Sequence, residues 1–469
     1  MAQPGTNGSH PDGLPVDESG AAPTTVAAAA GTTQGPGALA AHFGDHKLGL
    51  SSLSVHADDY INNHRAVAPP LHVSTTFRYN EDPDRLRAWD NTDDNAPYDS
   101  HIYSRDSAPN TTRLEAVLSA LLGGPAVTYS SGLAAFHALL VFLNPRRVAI
   151  GGGYHGCHGV IDLVAKLTGL HKVELEDPAA LAALRPGDVI HVETPLNPTG
   201  EARDLDFYAS KARELGCYLT VDATFAPPPL QQPFDHGVDV VMHSGTKYFG
   251  GHSDLLCGVL AVHPRREERH GWVRGLLGER LFLGSVMGSM EGWLGVRSLR
   301  TLELRVERQS ASATRLVAWL DGELRAAQKE GGGGGSSSSS SSSTTTTTTT
   351  TNSPVARTVE RLQHASLQPE AAQEGSWLRR QMPRGWGPVF SIIMRDAGHA
   401  RRLPSKLHLF HHATSLGGVE SLIEWRAVTD KSIAKTVLRV SVGVESWEDL
   451  REDLLQGLGA LLDEDESRK

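Results

Sequence analysis

The stretch Ser244–Lys247 places a lysine beside two hydroxyl side chains, just after the mostly apolar run Val238–Met242. Lysine is rarely buried without a partner, so packing alone explains this lysine poorly. A desolvated lysine amine can form a Schiff base with an aldehyde cofactor, and Ser244 and Thr246 could then hold a phosphate of that cofactor. The alternative is a strand-end lysine whose amine reaches water. The tetrapeptide alone leaves both interpretations open.

Asp222 follows the apolar run Leu219–Val221, and Tyr154 follows a turn of three glycines. A buried carboxylate must be paired or it takes up a proton, and one suitable partner is a protonated pyridine nitrogen. Tyr154 could stack on the same aromatic ring. The alternatives are an ordinary turn or cap role for Asp222 and a rim position for Tyr154.

Two further places could bind anions. Ser131, Gly132 and Leu133 precede a predicted helix at Ala134–Leu143, where backbone N–H groups could hold a phosphate; a simple turn is the alternative. Arg439 lies within an apolar strand, where its guanidinium could bind the α-carboxylate of an amino acid or form a structural salt bridge.

Short apolar runs position these residues, and most of the runs end in small or polar side chains. Helical patterns at Leu114–Leu122 and Asp206–Leu215 lie between runs. Buried strands that alternate with helices predict an α/β fold with a mostly parallel sheet, which binds ligands at the carboxyl ends of its strands. The predicted strands are Ala126–Tyr129, Arg147–Ile150, Val189–Val192, Leu219–Val221 and Val238–Met242.

The pattern changes after about residue 300. A long amphipathic helix is predicted at Arg300–Leu324, strands at Val389–Met394 and Leu438–Val444, and a closing helix at Trp447–Leu462 with Ser446 as its cap. These elements predict a smaller α+β domain in the C-terminal part of the chain.

Composition excludes several classes of protein. The 469 residues are 39% hydrophobic and 21% charged, and no apolar run approaches the roughly 18 residues needed to span a bilayer. A net charge of −10 without a basic block argues against nucleic acid as a partner. Cys157, Cys217 and Cys257 form no disulfide framework, and the first lysine or arginine is Lys47. We therefore expect a cytoplasmic protein.

The chain divides into four predicted parts. Residues 1–46 are poor in large apolar groups and should be a disordered tail. An N-terminal arm at 47–105 precedes a large domain at 106–300. A small domain at 301–469 carries a low-complexity Gly/Ser/Thr insertion at 331–353, which we expect to be a flexible surface loop.

A series of motifs resembles those of the cysteine/methionine-metabolism family of pyridoxal-phosphate enzymes, which includes cystathionine γ-synthases, γ-lyases and β-lyases. The resemblance runs from about Leu53 to Leu461. It implies a type I pyridoxal-phosphate transferase-like fold, with a large domain and a smaller α+β domain. The matching segments are Val67–Phe77, Tyr103–Arg105, Asn110–Glu115, Ser131–Leu133, Glu193–Pro198, Asp222–Phe225, Ser244–Tyr248, Ser415–Ser421 and Arg439–Gly443.

This resemblance assigns expected roles. Lys247 would hold pyridoxal 5′-phosphate (PLP) and, with Tyr154, carry out the proton transfers. Ser415 would orient the lysine and Arg439 would bind the substrate carboxylate, with no metal required. The expected cofactor-binding residues are Tyr103, Arg105, Ser131, Gly132, Leu133, Tyr154, Asn197, Asp222, Thr224, Ser244, Thr246 and Lys247.

The resemblance also implies an assembly. In the family the residues that match Tyr103 and Arg105 reach across a subunit interface to the neighbouring cofactor phosphate. We therefore expect a homo-oligomer, a dimer of dimers, with shared active sites.

Some positions depart from the family pattern. Thr414 stands where many members have a glutamate, Ala223 replaces an asparagine, Trp425 follows the SLIE segment, and His155–Gly159 lacks an arginine that γ-lyases use for a distal carboxylate. These departures do not affect the expected cofactor-binding residues, but they leave the identity of the substrate undetermined. The histidines and cysteine within His155–Gly159 do not have the spacing of a zinc site, so we interpret this segment as a loop lining the path of the substrate.

The implied function is β- or γ-elimination from a sulfur-containing amino acid, as in cystathionine lyases. One alternative is a cystathionine γ-synthase, in which cysteine replaces the acyl group of an O-acylhomoserine. An alternative of another class is a non-catalytic binding protein that keeps the fold.

Overall fold

The computed structural model describes residues 47–61, 66–79, 81–86, 101–331 and 353–468. The predicted tail at 1–46 and nearly all of the predicted insertion at 331–353 lie outside these residues. No helix in the described ranges is long and apolar enough to cross a membrane.

A seven-stranded sheet forms the centre of the larger part, in the order β1-β7-β6-β5-β4-β2-β3. Strands β6, β5, β4, β2 and β3 are parallel, whereas β7 runs antiparallel to both of its neighbours. The predicted mostly parallel sheet is confirmed. Its strands are β1 (Ala126–Tyr129), β2 (Arg147–Ile150), β3 (His171–Glu174), β4 (Val189–Glu193), β5 (Tyr218–Asp222), β6 (Val240–Ser244) and β7 (Gly258–Val262).

Helices cover both faces of this sheet, because neighbouring residues of a strand point to opposite sides. Val241 joins the core on one face, whereas Val240 and Met242 join the core on the other. The helices up to the long connecting helix are α1 (Leu50–His56), α2 (Pro109–Leu122), α3 (Gly132–Leu143), α4 (His155–Thr168), α5 (Pro178–Ala182), α6 (Leu205–Leu215), α7 (Pro264–His270), α8 (Trp272–Leu283) and α9 (Ser289–Leu299).

A second, five-stranded sheet has the order β10-β11-β12-β9-β8 and is antiparallel except between β10 and β11. Helices pack on it around a separate apolar core. The strands are β8 (Val359–Gln363), β9 (Val389–Met394), β10 (His411–His412), β11 (Leu422–Trp425) and β12 (Val437–Ser441). The helices are α10 (Leu302–Gly331), α11 (Pro354–Thr358), α12 (Trp377–Gln381), α13 (Ala397–Arg402) and α14 (Trp447–Ser467).

Helix α10 connects the two cores. Leu302 and Val306 pack in the core of the large sheet, whereas Leu316 and Leu320 pack in the core of the small sheet. One continuous helix therefore couples the position of the second sheet to that of the first.

Polar contacts join described residues of the N-terminal arm to helices that pack on the large sheet. Asp58 is fully buried and pairs with Arg113 at 3.0 Å and with Arg300 at 2.7 Å. Trp293 donates from Nε1 to the carbonyl oxygen of Pro69 at 2.8 Å. Asp58 and Pro69 of the arm are thus held against residues of α2 and α9 and against Arg300.

The segment predicted as a loop at His155–Gly159 is instead the start of α4, so this prediction was wrong. Its signal lies further along the chain: Cys157, Val160, Ile161 and Val164 recur at helical spacing and are buried on one face. The glycine turn before Tyr154 ends the strand and allows the helix to begin at once. Ser446 is the N-cap residue of α14, although its hydroxyl contacts the Glu448 side chain rather than a backbone N–H.

Candidate active site

Lys247 lies just past the carboxyl end of β6, where the small domain meets the large sheet. Its Nζ donates to Oγ of Ser415 at 2.8 Å. Ser415 has a φ of +82°, a strained conformation that non-glycine residues seldom adopt and that recurs at functional sites. A Cβ on Gly417 would lie only 3.0 Å from the Lys247 carbonyl carbon, so only glycine lets this loop approach the lysine so closely.

The environment of Lys247 favours its neutral amine. Burial lowers the pKa of Lys247 to about 8, and the Arg439 guanidinium acts in the same direction, whereas Glu424 and Asp222 oppose it. An ordinary lysine has a pKa near ~10.4, so the uncharged, nucleophilic form is far more accessible here.

Asp222 ends β5 as a buried carboxylate. Thr224 donates to its Oδ1 from the backbone N at 3.0 Å and from Oγ1 at 2.5 Å. The Thr224 Oγ1 also accepts from the Ser244 backbone N at 2.8 Å, which ties Asp222 to the turn before Lys247. Burial raises the pKa of Asp222, while the Thr224 hydrogen bonds and the Lys247 charge oppose that rise. A cationic partner at Oδ2 would keep this carboxylate ionised.

Glu193 ends β4 directly opposite Asp222 in the parallel register. Its Oε2 accepts from the Tyr154 backbone N at 2.8 Å and its Oε1 accepts from the Asn197 backbone N at 2.6 Å. Burial and the neighbouring Asp222 raise the pKa of Glu193 to about 8. Its surroundings therefore favour the protonated form of Glu193, and its side chain positions the backbones of Tyr154 and Asn197.

Arg439 is buried in β12 and makes three polar contacts. It donates to Oδ1 of Asn197 at 3.1 Å, to the carbonyl oxygen of Ser415 at 2.8 Å and to Oε2 of Glu424 at 2.6 Å. The structural salt bridge that the sequence left open is therefore present. Binding of a substrate carboxylate at the same guanidinium stays a prediction.

The phosphate cradle is predicted at the start of α3, where this helix closely approaches the last residue of β6. Gly132 begins α3, and a Cβ at this position would lie 3.1 Å from Oγ of Ser244. Ser131 caps the helix by accepting from the Ala134 backbone N at 3.1 Å. Thr246 has its Oγ1 engaged with the Cys257 backbone, accepting from its N at 2.9 Å. The Ser244 hydroxyl thus lies close to the first residue of α3.

Tyr154 covers the site from the amino end of α4, about one third exposed. A Cβ on Gly156 would lie 2.5 Å from the Tyr154 ring and 2.9 Å from Cδ2 of Leu133. The missing side chain at Gly156 therefore makes room for the tyrosine ring beside Leu133.

The contacts of Tyr103 and Arg105 are with residues outside this group. Tyr103 pairs with Thr76 in an isolated bridge, and the Arg105 guanidinium lies 5.3 Å from the Tyr103 ring centroid. Both side chains are exposed. Within the described part of the chain, no recorded contact joins either of them to Lys247 or Asp222.

His155, Cys157 and His158 occupy the first turn of α4, with Cys157 buried against the sheet. Among the described residues, no group of three or more histidine, cysteine or acidic side chains could hold a metal ion.

Sequence reasoning missed three charged residues of the site. Glu193 carries the same signal as Asp222, a carboxylate at the end of a buried strand. Glu424 and Arg426 follow an apolar stretch, and their signal is the appearance of charge in or beside a buried strand.

Comparison with known proteins identifies the family. The sequence profile of the family described as Cys/Met metabolism PLP-dependent enzyme matches residues 51–328 and 351–459. The chain belongs to this family. It is 30% identical over 384 residues to the cystathionine beta-lyase MetC of Bacillus subtilis (strain 168), covering 77% of this chain and 87% of the relative. It is 31% identical over 418 residues to the cystathionine gamma-synthase of Escherichia coli (strain K12), covering 84% of this chain and 93% of that relative.

The fold is similar to the crystal structure of a cystathione gamma lyase from Micromonospora echinospora, with a TM-score of 0.71, 30% identity and coverage of 88% of this chain and 100% of that one. The predicted family, fold class, cofactor and enzyme class are confirmed: the chain is a PLP-dependent carbon–sulfur lyase or synthase rather than a non-catalytic binding protein. Because the three activities occur in relatives of equal similarity, sequence identity does not distinguish them.

The described residues fit PLP. The half-buried Lys247 amine faces the site, Asp222 has an oxygen for a ring nitrogen, and the Gly132–Ser244 cradle offers donors to a phosphate. These three features match the aldehyde, the pyridine and the phosphate of the cofactor.

Capture of PLP by the apo protein should accelerate as pH rises through about 8. Attack on the aldehyde requires the neutral Lys247 amine, so the rate constant should rise roughly tenfold per pH unit below the pKa and level off above it. Glu424→Gln should move the midpoint to lower pH, because the Glu424 carboxylate favours the ammonium form.

Stopped-flow absorbance after mixing apo protein with PLP from about pH 6 to 10 provides the measurement. Glu420→Gln, which removes a carboxylate that contacts Ser253 instead, is the matched control and should leave the midpoint unchanged. A flat profile, or a midpoint near that of free lysine, would show that the amine is not perturbed.

Proposed function

We propose that the enzyme eliminates a sulfur-containing leaving group from Cβ or Cγ of an amino acid, as cystathionine lyases do. The observation that carries this proposal is the set of contacts around Lys247. Its amine donates to Ser415, whose carbonyl oxygen accepts from Arg439, and Asp222 is tied through Thr224 to the turn before the lysine. A cofactor-binding amine, a carboxylate for a ring nitrogen and a cation for a substrate carboxylate then surround one space.

Each residue has a separate task in this proposal. When bound, PLP supplies an electron sink at its protonated ring. Asp222 would keep that ring protonated, and Asn197, whose Oδ1 accepts from Arg439, would help to hold the ring. Arg439 orients the substrate carboxylate, because hydrogen bonds to charged groups are worth about 1.5–3 kcal/mol each.

Proton transfers are assigned to two groups. Lys247 takes the proton from the substrate α-carbon at Nζ and returns it to Cβ, Cγ or the departing sulfur. Tyr154 accepts the proton of the substrate amine or assists the departing thiol at Oη. Burial raises the pKa of Tyr154, and Arg426 and Arg439 oppose that rise.

A cystathionine γ-synthase is the second candidate. It is favoured by the 31% identity to the Escherichia coli relative of that name, a value no lower than that to the lyase of Bacillus subtilis. In this reaction the same Lys247 proton transfers would expel the acyl group of an O-acylhomoserine, and the thiol of cysteine would take its place.

A substrate panel should separate these activities. With cystathionine, a β-lyase releases pyruvate and a γ-lyase releases 2-oxobutanoate, whereas a γ-synthase forms cystathionine from an O-acylhomoserine and cysteine. We expect the holoenzyme to release a keto acid from cystathionine. A coupled dehydrogenase assay and mass spectrometry would detect the product. Lys247→Ala is the control and should lack turnover. Thioether formation without keto acid release would favour the synthase, and no reaction with any member would refute both.

We further propose a homo-oligomer, a dimer of dimers, with active sites shared between subunits. Tyr103 and Arg105 are exposed, and within the described part of their own chain neither contacts Lys247. The arm beside them presents apolar side chains to the surface, including the fully exposed Val67 and the largely exposed Val73 and Tyr79. Exposed apolar patches of this kind mark interaction surfaces. Tyr103 and Arg105 would then contact the cofactor phosphate of the neighbouring subunit.

Subunit mixing tests this sharing. Arg105→Ala and Lys247→Ala should each be inactive without added PLP, but a hybrid dimer would contain one intact site. After dissociation and random reassembly of equal amounts, roughly a quarter of the wild-type activity should return. The same treatment of either variant alone should restore none. Absence of recovery in a mixture shown by mass to contain hybrids would place Arg105 outside the site.

We also assign the enzyme to the cytoplasm. The three cysteines are buried and unpaired, as is usual for proteins of a reducing compartment.

A further inference from the structure

Arg426 is a buried cation near Tyr154. None of the roles proposed above gives it a ligand. It follows β11 directly, and its side chain is 3% exposed. Its Nη1 donates to Oε2 of Glu424 at 2.8 Å. Its Nε is buried and has no hydrogen-bond partner among the described residues. Since unpaired buried donors are costly, this guanidinium has capacity for a further acceptor.

The charges around Arg426 do not cancel. Arg426 and Arg439 donate to the same oxygen of Glu424, so the two guanidiniums lie side by side and share one carboxylate. Thr429 donates to the other oxygen at 2.8 Å. Burial opposes it, but the two arginines lower the pKa of Glu424, which is therefore ionised at neutral pH. Two cations face one anion, and the buried cluster has an excess positive charge.

Arg426 lies toward Tyr154. It belongs to the charges that influence the Tyr154 hydroxyl, together with Arg439. The nearby Asp430 is half-buried and is engaged by Ser432, which donates to its Oδ1 from N at 2.9 Å and from Oγ at 2.6 Å. The buried Nε of Arg426 is thus an unpaired donor on a guanidinium that acts on Tyr154.

We propose that Arg426 determines specificity by binding a second anionic group at the far end of the substrate side chain. This inference rests on the proposed function, in which Arg439 holds the α-carboxylate. An amino acid with a terminal carboxylate places one anion on each guanidinium. The substrate class is then an amino acid whose side chain ends in a carboxylate, from either a thioether such as cystathionine or an acyl ester such as O-succinylhomoserine.

Two matched substrate pairs test this proposal. O-succinylhomoserine and O-acetylhomoserine, each with cysteine, differ in a terminal carboxymethyl group. For elimination, S-(2-carboxyethyl)cysteine and S-propylcysteine differ in a terminal carboxylate against a methyl group. The wild-type holoenzyme should prefer the carboxylate-bearing member of whichever pair it converts. Arg426→Gln keeps a donor for Glu424 but removes the charge. It should lower kcat/KM for that member by roughly tenfold to a hundredfold, chiefly through KM.

For the neutral member of the pair, kcat/KM should change by no more than about twofold in Arg426→Gln. Arg426→Lys keeps the charge but lacks the two parallel N–H donors of a guanidinium. For the anionic member, its kcat/KM should lie between those of the wild type and Arg426→Gln. Arg401→Gln is the matched control, because Arg401 stacks on Trp425 at the surface, 5.9 Å from its ring centroid. It should leave both members unchanged.

Several outcomes would overturn the proposal. An equal loss of kcat/KM for both members would show that Arg426 only positions Arg439. No loss for either member would show that Arg426 does not contact the substrate. A wild-type enzyme without preference for the anionic member would also refute it, even if the variants fail to fold. Failure of the proposed function looks different, because the wild type would then convert neither pair.

Discussion

The contact between the Lys247 amine and the Ser415 hydroxyl, 2.8 Å long, joins the two domains at the site, and the site depends on it. Lys247 belongs to the large sheet, whereas Ser415 belongs to the loop that leads into β11. The strained φ of Ser415 and the tight approach at Gly417 show that this loop is held in one position. The desolvated, less basic amine is therefore a consequence of domain docking, since the isolated large sheet would leave it in water.

Burial of charge is the constraint that organises the remaining residues. Asp222 and Glu193 sit on adjacent strands, so one of them must hold a proton or find a cation. Across the site, Glu424 joins two arginines in a buried group. Such groups are expensive to desolvate and are weak evidence for stability, so their presence at the strand ends is better explained by ligand binding.

Much of this arrangement could be predicted from the sequence. Strand β1 and strand β9 have the predicted boundaries, and Asp222 and Lys247 stand at the strand ends where the pattern placed them. Local apolar runs were enough to predict these strands and strand-end residues, because a short apolar run bounded by polar or turn residues is typical of a buried parallel strand. The start of α4 at His155 was missed because its glycines disguised the helical spacing. The Arg439–Glu424–Arg426 group could not be predicted, because it depends on the antiparallel register of β11 and β12.

The most direct test of the central claim is to identify the side chain that holds the cofactor. The PLP-loaded protein would be reduced with sodium borohydride, digested and mapped by mass spectrometry. The account predicts a pyridoxyl mass on the peptide that contains Lys247, with fragment ions that place it on that residue. Modification of another lysine, such as the partly exposed Lys172, or of no residue at all, would contradict it.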